Sequence, residues 1–311
     1  MAVTAPPIQT AADLHGDRGR LRKEAIVRSL LFAAAFFSVV ISALILWSLF
    51  DRALDFLRTV ELGKLWDTGW FPRRGRFDIR TIVVASFTVG GIAMLVAAPV
   101  GVGAAIYLSE YANPRVRRIL KPILEILAGV PSVVIGVFAL SFIGPNIVQP
   151  LFDTPSQFSM MAAGIGIGLL VVPLVASISE DALRAVPDSL REASYGVGAR
   201  KATTVVRVVV PAAISGIVAA FIVATSRAIG ETMVAALAAG ASGGAQFTTN
   251  PTDPGLTMTA AMAALAGGTD QVAGDNLAFP SLFFVGLVLF IMTLTLNVIA
   301  GRFVGRVRQR Y

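Results

Sequence analysis

Pro187-Asp188-Ser189-Leu190-Arg191-Glu192-Ala193-Ser194-Tyr195-Gly196-Val197-Gly198 is a polar stretch set between two long apolar runs. Proline followed by aspartate marks a helix start, because the ring's fixed φ suits the first turn and the carboxylate suits its N-terminus. Ser189 and Glu192 have the spacing of a capping box. Gly196 and Gly198 then break the helix. The stretch predicts a compact helix on a membrane-proximal loop, with Glu192 and its charged neighbours open to a soluble partner. The flanking runs, about residues 160–178 and 211–240, both approach or exceed the ~20 residues that cross a bilayer.

Four more runs of that kind lie further out, at about 29–50, 81–108, 124–143 and 280–301. The second and fifth of the six are long enough to tilt or to project beyond the lipid. The expectation is an all-α integral membrane protein with six transmembrane helices. Its domain plan is a cytoplasmic tail over 1–28, a membrane domain over 29–301 that includes the loop 179–210, and a cytoplasmic tail over 302–311. Composition agrees. The 311 residues are 55% hydrophobic and 14% charged, against about 25% charged in soluble domains, and the mean hydropathy is +0.75.

The net charge of +7 is read as basic residues beside anionic headgroups on the cytoplasmic side. No basic stripe alternates with aromatics, so nucleic acid is not an expected partner and membrane lipid is. The absence of cysteine rules out disulfides and thiolate chemistry. The single histidine, His15, lies in the polar tail, which removes a histidine metal cluster. The first run lacks a cleavage site of small residues and reads as a retained helix.

With both termini cytoplasmic, 18 of the 26 basic residues fall inside and 7 outside, and Arg227 lies within a span. All seven outer ones sit in 51–80, among Asp51, Asp55, Glu61, Asp67, Asp78, Trp66 and Trp70. That mixture reads as a small amphipathic element at the outer interface. The last outer loop, about 241–279, carries Asp253, Asp270 and Asp275 and no basic residue. Met258–Ala266 within it reads as a short helix on the outer face.

Glu192, Ala193, Ser194, Gly198, Val208, Val210 and Pro211 fall at the spacing E-A-A-x3-G-x9-I-x-L-P. This pattern resembles that of ATP-binding-cassette importer permeases, with serine for the second alanine and valine for isoleucine and leucine. The resemblance implies a type I importer permease bundle. Its loop would place Glu192, Ala193, Ser194, Tyr195 and Gly198 against an ATPase subunit. The chain has no G-x4-G-K-[ST] loop. It is therefore expected to be non-catalytic and to bind no cofactor, with ATP hydrolysed by the partner.

Span five contains Ser226-Arg227-Ala228-Ile229-Gly230-Glu231-Thr232. Arg227 and Glu231, four apart, are expected on one helix face. A charge at mid-span costs about 2.5–3.5 kcal/mol on insertion scales and usually marks a substrate path. The alternative is an ion pair that only fixes packing. The run Arg227–Thr232 is similar to a signature of phosphate-specific transport permeases, as is Gly129-Val130-Pro131-Ser132-Val133-Val134-Ile135-Gly136 in span three.

This second resemblance implies inorganic phosphate as substrate and a pathway formed by Arg227, Glu231, Thr232 and Ser132. It implies an ATPase dimer, a second homologous permease subunit and an extracytoplasmic phosphate-binding protein as partners, in a bacterial inner membrane. Of the two phosphate permeases the chain is read as the PstC-like one. Other oxyanion permeases, for sulfate or molybdate, share the loop pattern. An ion-coupled secondary carrier built on Arg227 and Glu231 is the rival from a different class, and a non-transporting membrane sensor is a third.

Overall fold

The computed structural model describes residues 18–66, 68–240, 244–267 and 277–307. His15, Asp67, Asp270 and Asp275 lie outside the described residues, as do the first 17 residues of the N-terminal tail and the last four of the C-terminal one. The described parts of both tails are helical. The helices are α1 (Arg18–Thr59), α2 (Ile79–Ile106), α3 (Pro114–Ala128), α4 (Ser132–Phe138), α5 (Gln149–Phe152), α6 (Met160–Arg184), α7 (Asp188–Gly196), α8 (Lys201–Thr204), α9 (Val210–Ile229), α10 (Met233–Ala238), α11 (Met258–Gly267) and α12 (Ala278–Val307). π-helical turns join α4 to α5 and α8 to α9 and extend α2 to Tyr111.

Among the described residues, six helical runs are long and apolar enough to cross a membrane: Arg22–Thr59, Ile79–Tyr111, Ser132–Phe152, Met160–Arg184, Lys201–Ile229 and Ala278–Arg302.

The chain divides into two units, Met1–Asp51 and Arg52–Tyr311. The described part of the first is one uninterrupted helix whose large apolar side chains from Ile26 to Phe50 are exposed, except that Val40 and Leu49 are half-buried. The second unit is built around α2 and α6, with α9 against both. Its core is rich in alanine, including Ala93, Ala97, Ala162, Ala163, Ala220 and Ala224. Small side chains let membrane helices approach closely, and van der Waals contact then holds them. At the α2–α6 contact a Cβ on Gly164 would lie 2.6 Å from Cβ of Ile92, and one on Gly168 would lie 2.8 Å from Cβ of Val96. Gly101 of α2 meets Val175 in the same way further along. Both residue numbers rise together, so α2 and α6 run parallel and end on the same side.

Side-chain caps set several helix starts. Asp78, fully buried, accepts from the Arg80 and Thr81 side chains and the Arg80 N–H, opening α2. Ser159 caps α6 through the Ala162 N–H (3.0 Å), and Asn113 caps α3 through the Val116 N–H (2.8 Å). Each satisfies an orphan donor of the first turn.

Several boundaries depart from the sequence expectation; the first span covers Arg22–Thr59 rather than 29–50, and the third runs on to Phe152 rather than 143. The third span begins at Ser132 rather than 124, because Gly129–Pro131 ends α3. Pro131 holds ψ at 131° and starts a new helix beyond it. The fifth span begins at Lys201 and stops at Ile229 instead of running over 211–240. The loop between spans four and five is correspondingly shorter than 179–210, since α6 continues through Arg184.

The segment after α1, expected as a small amphipathic element, has defined secondary structure. It folds into a short hairpin, β1 (Trp70–Phe71) against β2 (Arg76–Phe77), with Trp70 buried and bridged to Ala245. α11 is helical as expected. Its first turn, Met258–Ala261, is buried, and the helix packs against α2, α10 and α12.

Candidate functional site

Two places carry the residues singled out above. The first is α7. Pro187 occupies its N-cap position and makes no side-chain cap, so the Ser189–Glu192 capping box does not form. Proline supplies the turn, and Asp188 takes the first-turn acidic place, 3.1 Å from Arg191. Gly198, at φ +81°, lets the chain leave α7 in the left-handed region where other residues are strained. The Ser194 and Thr204 hydroxyls meet at 2.9 Å and tie α7 to α8. Ala193, Glu192 and Tyr195 are exposed, and Val197 is 85% exposed. Glu192 has no hydrogen-bond or ion-pair partner among the described residues.

Sequence reasoning missed the frame that holds α7. Arg191 donates to the Leu183 carbonyl (2.9 Å), the Val186 carbonyl (2.6 Å) and Glu110 Oε1 (2.9 Å). Nearby, Glu180 is 1% exposed and pairs with Arg117 (2.6 Å) and Lys121 (3.4 Å) of α3. Such a buried carboxylate is tolerated only because cations face it. Arg191, Glu110, Arg117 and Lys121 border a cleft of about 810 Å³ between α3, the end of span two, the end of α6 and the start of α7.

The second place is the end of span five. α9 stops at Ile229 and α10 starts at Met233, so Arg227 and Glu231 do not lie on one continuous helix face. The expected i,i+4 pair is absent: among the described residues no ion pair joins them. Glu231 Oε1 instead accepts from the Met233 N–H (3.2 Å), and the Glu231 carbonyl accepts from the Thr259 hydroxyl (3.0 Å). Thr232 is in the break itself, its hydroxyl 3.4 Å from the Gly230 carbonyl. Arg227 is exposed and has no hydrogen-bond or ion-pair partner among the described residues. Its neighbour Ser226 donates to Asn297 of α12 (2.8 Å), which fixes this turn of α9.

Ser132 is the first residue of α4 and makes no hydrogen bond to Arg227, Glu231 or Thr232 among the described residues. The two breaks are nonetheless related, since α4 and α10 pack together: a Cβ on Gly136 would lie 3.2 Å from Cα of Val234. Thr259, 28 residues from the carbonyl it holds, is a site neighbour that no local pattern announces.

Six membrane-crossing helices, a short exposed helix hung between the fourth and fifth, and an unpaired arginine in a span define a polytopic membrane protein of the permease type. The chain belongs to the family of binding-protein-dependent transport system inner membrane components, whose family model matches residues 97–311. It is 32% identical over 218 residues to a probable ABC transporter permease, YqgH, of Bacillus subtilis, covering 70% of this chain and 69% of that one. It is 34% identical over 248 residues to the phosphate transport system permease protein PstC 1 of Mycobacterium tuberculosis, covering 73% and 72%. A bacterial alginate ABC transporter in complex with an alginate pentasaccharide-bound periplasmic protein includes a chain with the same fold, at TM-score 0.65 and 15% identity over 93% of this chain and 99% of that one. The class is a non-catalytic, multi-pass inner-membrane subunit, and ATP is hydrolysed by partner ATPase subunits.

Proposed function

We propose that this chain is the PstC-like permease subunit of an importer that moves inorganic phosphate into the cytoplasm, with both termini cytoplasmic. The observation that carries the reading is Arg227: a guanidinium in a span, exposed and unpaired within its own chain. An unpaired charge is costly in lipid, so it belongs against a pathway or a partner subunit. Its planar fork suits a tetrahedral oxyanion through two parallel charge-assisted bonds. Glu231, close in sequence, lowers the local positive field so that the anion is released. Thr232 and Ser132 supply hydroxyls at the two helix breaks. The likeness to a PstC protein at 34% identity supports phosphate over other oxyanions.

In this reading α7 docks on an ATPase dimer through Glu192, Ala193, Ser194, Tyr195 and Gly198. A second homologous permease completes the pathway, and a phosphate-binding protein docks outside. Glu192→Lys reverses an unpaired charge on the docking face, so the ATPase should no longer co-purify with the permease pair while the chain's melting temperature stays put. Retention of the ATPase at wild-type level would count against the docking role.

The substrate is tested on the purified complex in proteoliposomes. Binding protein loaded with phosphate should stimulate ATP hydrolysis several-fold, and sulfate- or molybdate-loaded binding protein should not. Stimulation by either of those without phosphate reassigns the substrate. Uptake driven by a membrane potential with no ATPase present would overturn the importer reading itself.

A further inference from the structure

Arg191, on α7, joins the neighbouring end of α6 to the end of span two, which is distant in sequence. Its guanidinium caps the end of α6 through the Leu183 and Val186 carbonyls and reaches Glu110 at the end of span two. The Arg191 and Glu110 side chains are only 15% and 6% exposed. Water competes weakly there, so the contact differs from a surface ion pair worth little. Among the described residues it is the only hydrogen bond or ion pair between α7 and the end of span two.

The backbone is shaped for this contact. The turn Tyr107–Tyr111 is π-helical, closed by the Ala112 N–H on the Tyr107 carbonyl (2.7 Å). One extra residue in the turn rotates the helix face that follows and re-aims Glu110; such bulges gather at functional positions. From the other end of the loop, Lys201 sits over the Tyr111 ring, 4.9 Å from its centroid. The end of span two is thus gripped from α7 and from the start of span five.

We propose that Arg191 and Glu110 act as a latch. They lock the ATPase-facing helix α7 to the ends of spans two and four, so that any displacement of α7 moves both spans as one body. Arg191 is a positioning residue in this scheme. Span four follows α7 through only three intervening residues, Ala185, Val186 and Pro187. Span two has no chain connection to α7, and the latch supplies one. The inference rests on the proposed docking of α7 on the ATPase and holds whatever the substrate.

The chain contains no cysteine, so spin labels can be placed singly at Arg115→Cys, just beyond span two, and Ser189→Cys on α7. Both positions are exposed. The labelled chain is assembled with cysteine-free partner subunits, and the separation is measured without nucleotide and after trapping with ATP and vanadate. With the latch intact the separation should change by less than about 2 Å between states, the scale of small helix shifts. In Glu110→Gln, which keeps the shape and an acceptor but removes the charge, it should change by about 5 Å or more, with ATP still hydrolysed. A separation that changes in the latched chain overturns the proposal. So does a Glu110→Gln complex as rigid as the parent. If Glu110→Gln fails to assemble, the latched chain decides alone.

Discussion

If Arg227 lines a phosphate pathway as proposed, Arg227→Gln should lower phosphate uptake about 100-fold and leave the transport complex assembled. Glutamine retains one donor group but loses the charge and the second parallel bond. Hydrogen bonds to charged groups contribute about 1.5–3 kcal/mol each and an ordinary one about 1 kcal/mol, so exchanging two of the former for one of the latter costs roughly 2–5 kcal/mol, a range that includes two decades in an equilibrium. The fold should not suffer, because Arg227 has no partner within the described chain and its removal strands no carboxylate. Removing an unpaired charge from a span also relieves an insertion cost of a few kcal/mol. Arg227→Lys should fall between, near a tenfold loss, since an ammonium keeps the charge without the fork. The measurements are uptake into proteoliposomes and co-purification of the partner subunits. Wild-type uptake by Arg227→Gln would remove Arg227 from the pathway. Loss of assembly instead would make it an interface residue.

The spans were legible because twenty apolar residues with few charges have one physical home. Where Ser159 caps α6, the predicted start at residue 160 coincides with the helix. The two breaks were not legible, because largely apolar sequence lies on both sides of each. Residues 124–128 before Gly129 and 233–239 after Thr232 read as continuations of neighbouring runs. What ends α9 at Ile229 is partly tertiary: the Glu231 carbonyl is taken by Thr259 of α11, a contact hydropathy does not encode.

The candidate pathway residues were therefore expected on the wrong backbone, with Glu231 turned to the Met233 N–H instead of to Arg227. At α7 the local signals worked for the element and failed for the cap, since proline at the N-cap position displaced the serine. Arg191 looked like one more loop charge. Its partner Glu110 lies 81 residues away, beyond the reach of any local pattern.

The other large effect concerns how α2 and α6 approach. Gly168→Leu should abolish the folded chain or lower its melting temperature by roughly 10 °C, read by thermal denaturation in detergent and by the yield of monodisperse protein. The first added carbon alone would lie 2.8 Å from Cβ of Val96 and 2.9 Å from the Ala93 carbonyl oxygen. The second of these is backbone inside α2, so no rotamer change relieves it; the helices must separate. Overpacking a tight core costs about 1–3 kcal/mol and sometimes more, and at about 2–4 °C per kcal/mol in a chain of this size that is a large shift.

Separation would also propagate, because Gly164 and Gly101 hold the same interface at Ile92 and Val175. Helix propensity works the other way, since leucine is the better helix former by up to about 1 kcal/mol, so a loss cannot be a backbone effect. Gly103→Leu on α2 is the control: nothing lies within 4 Å of a Cβ there, and its melting temperature should hold or rise. Equal losses at both positions would show that glycine serves the helices individually rather than their contact. A loss at Gly168 alone ties the fold to the close approach of the two parallel spans, whose ends both meet Arg191.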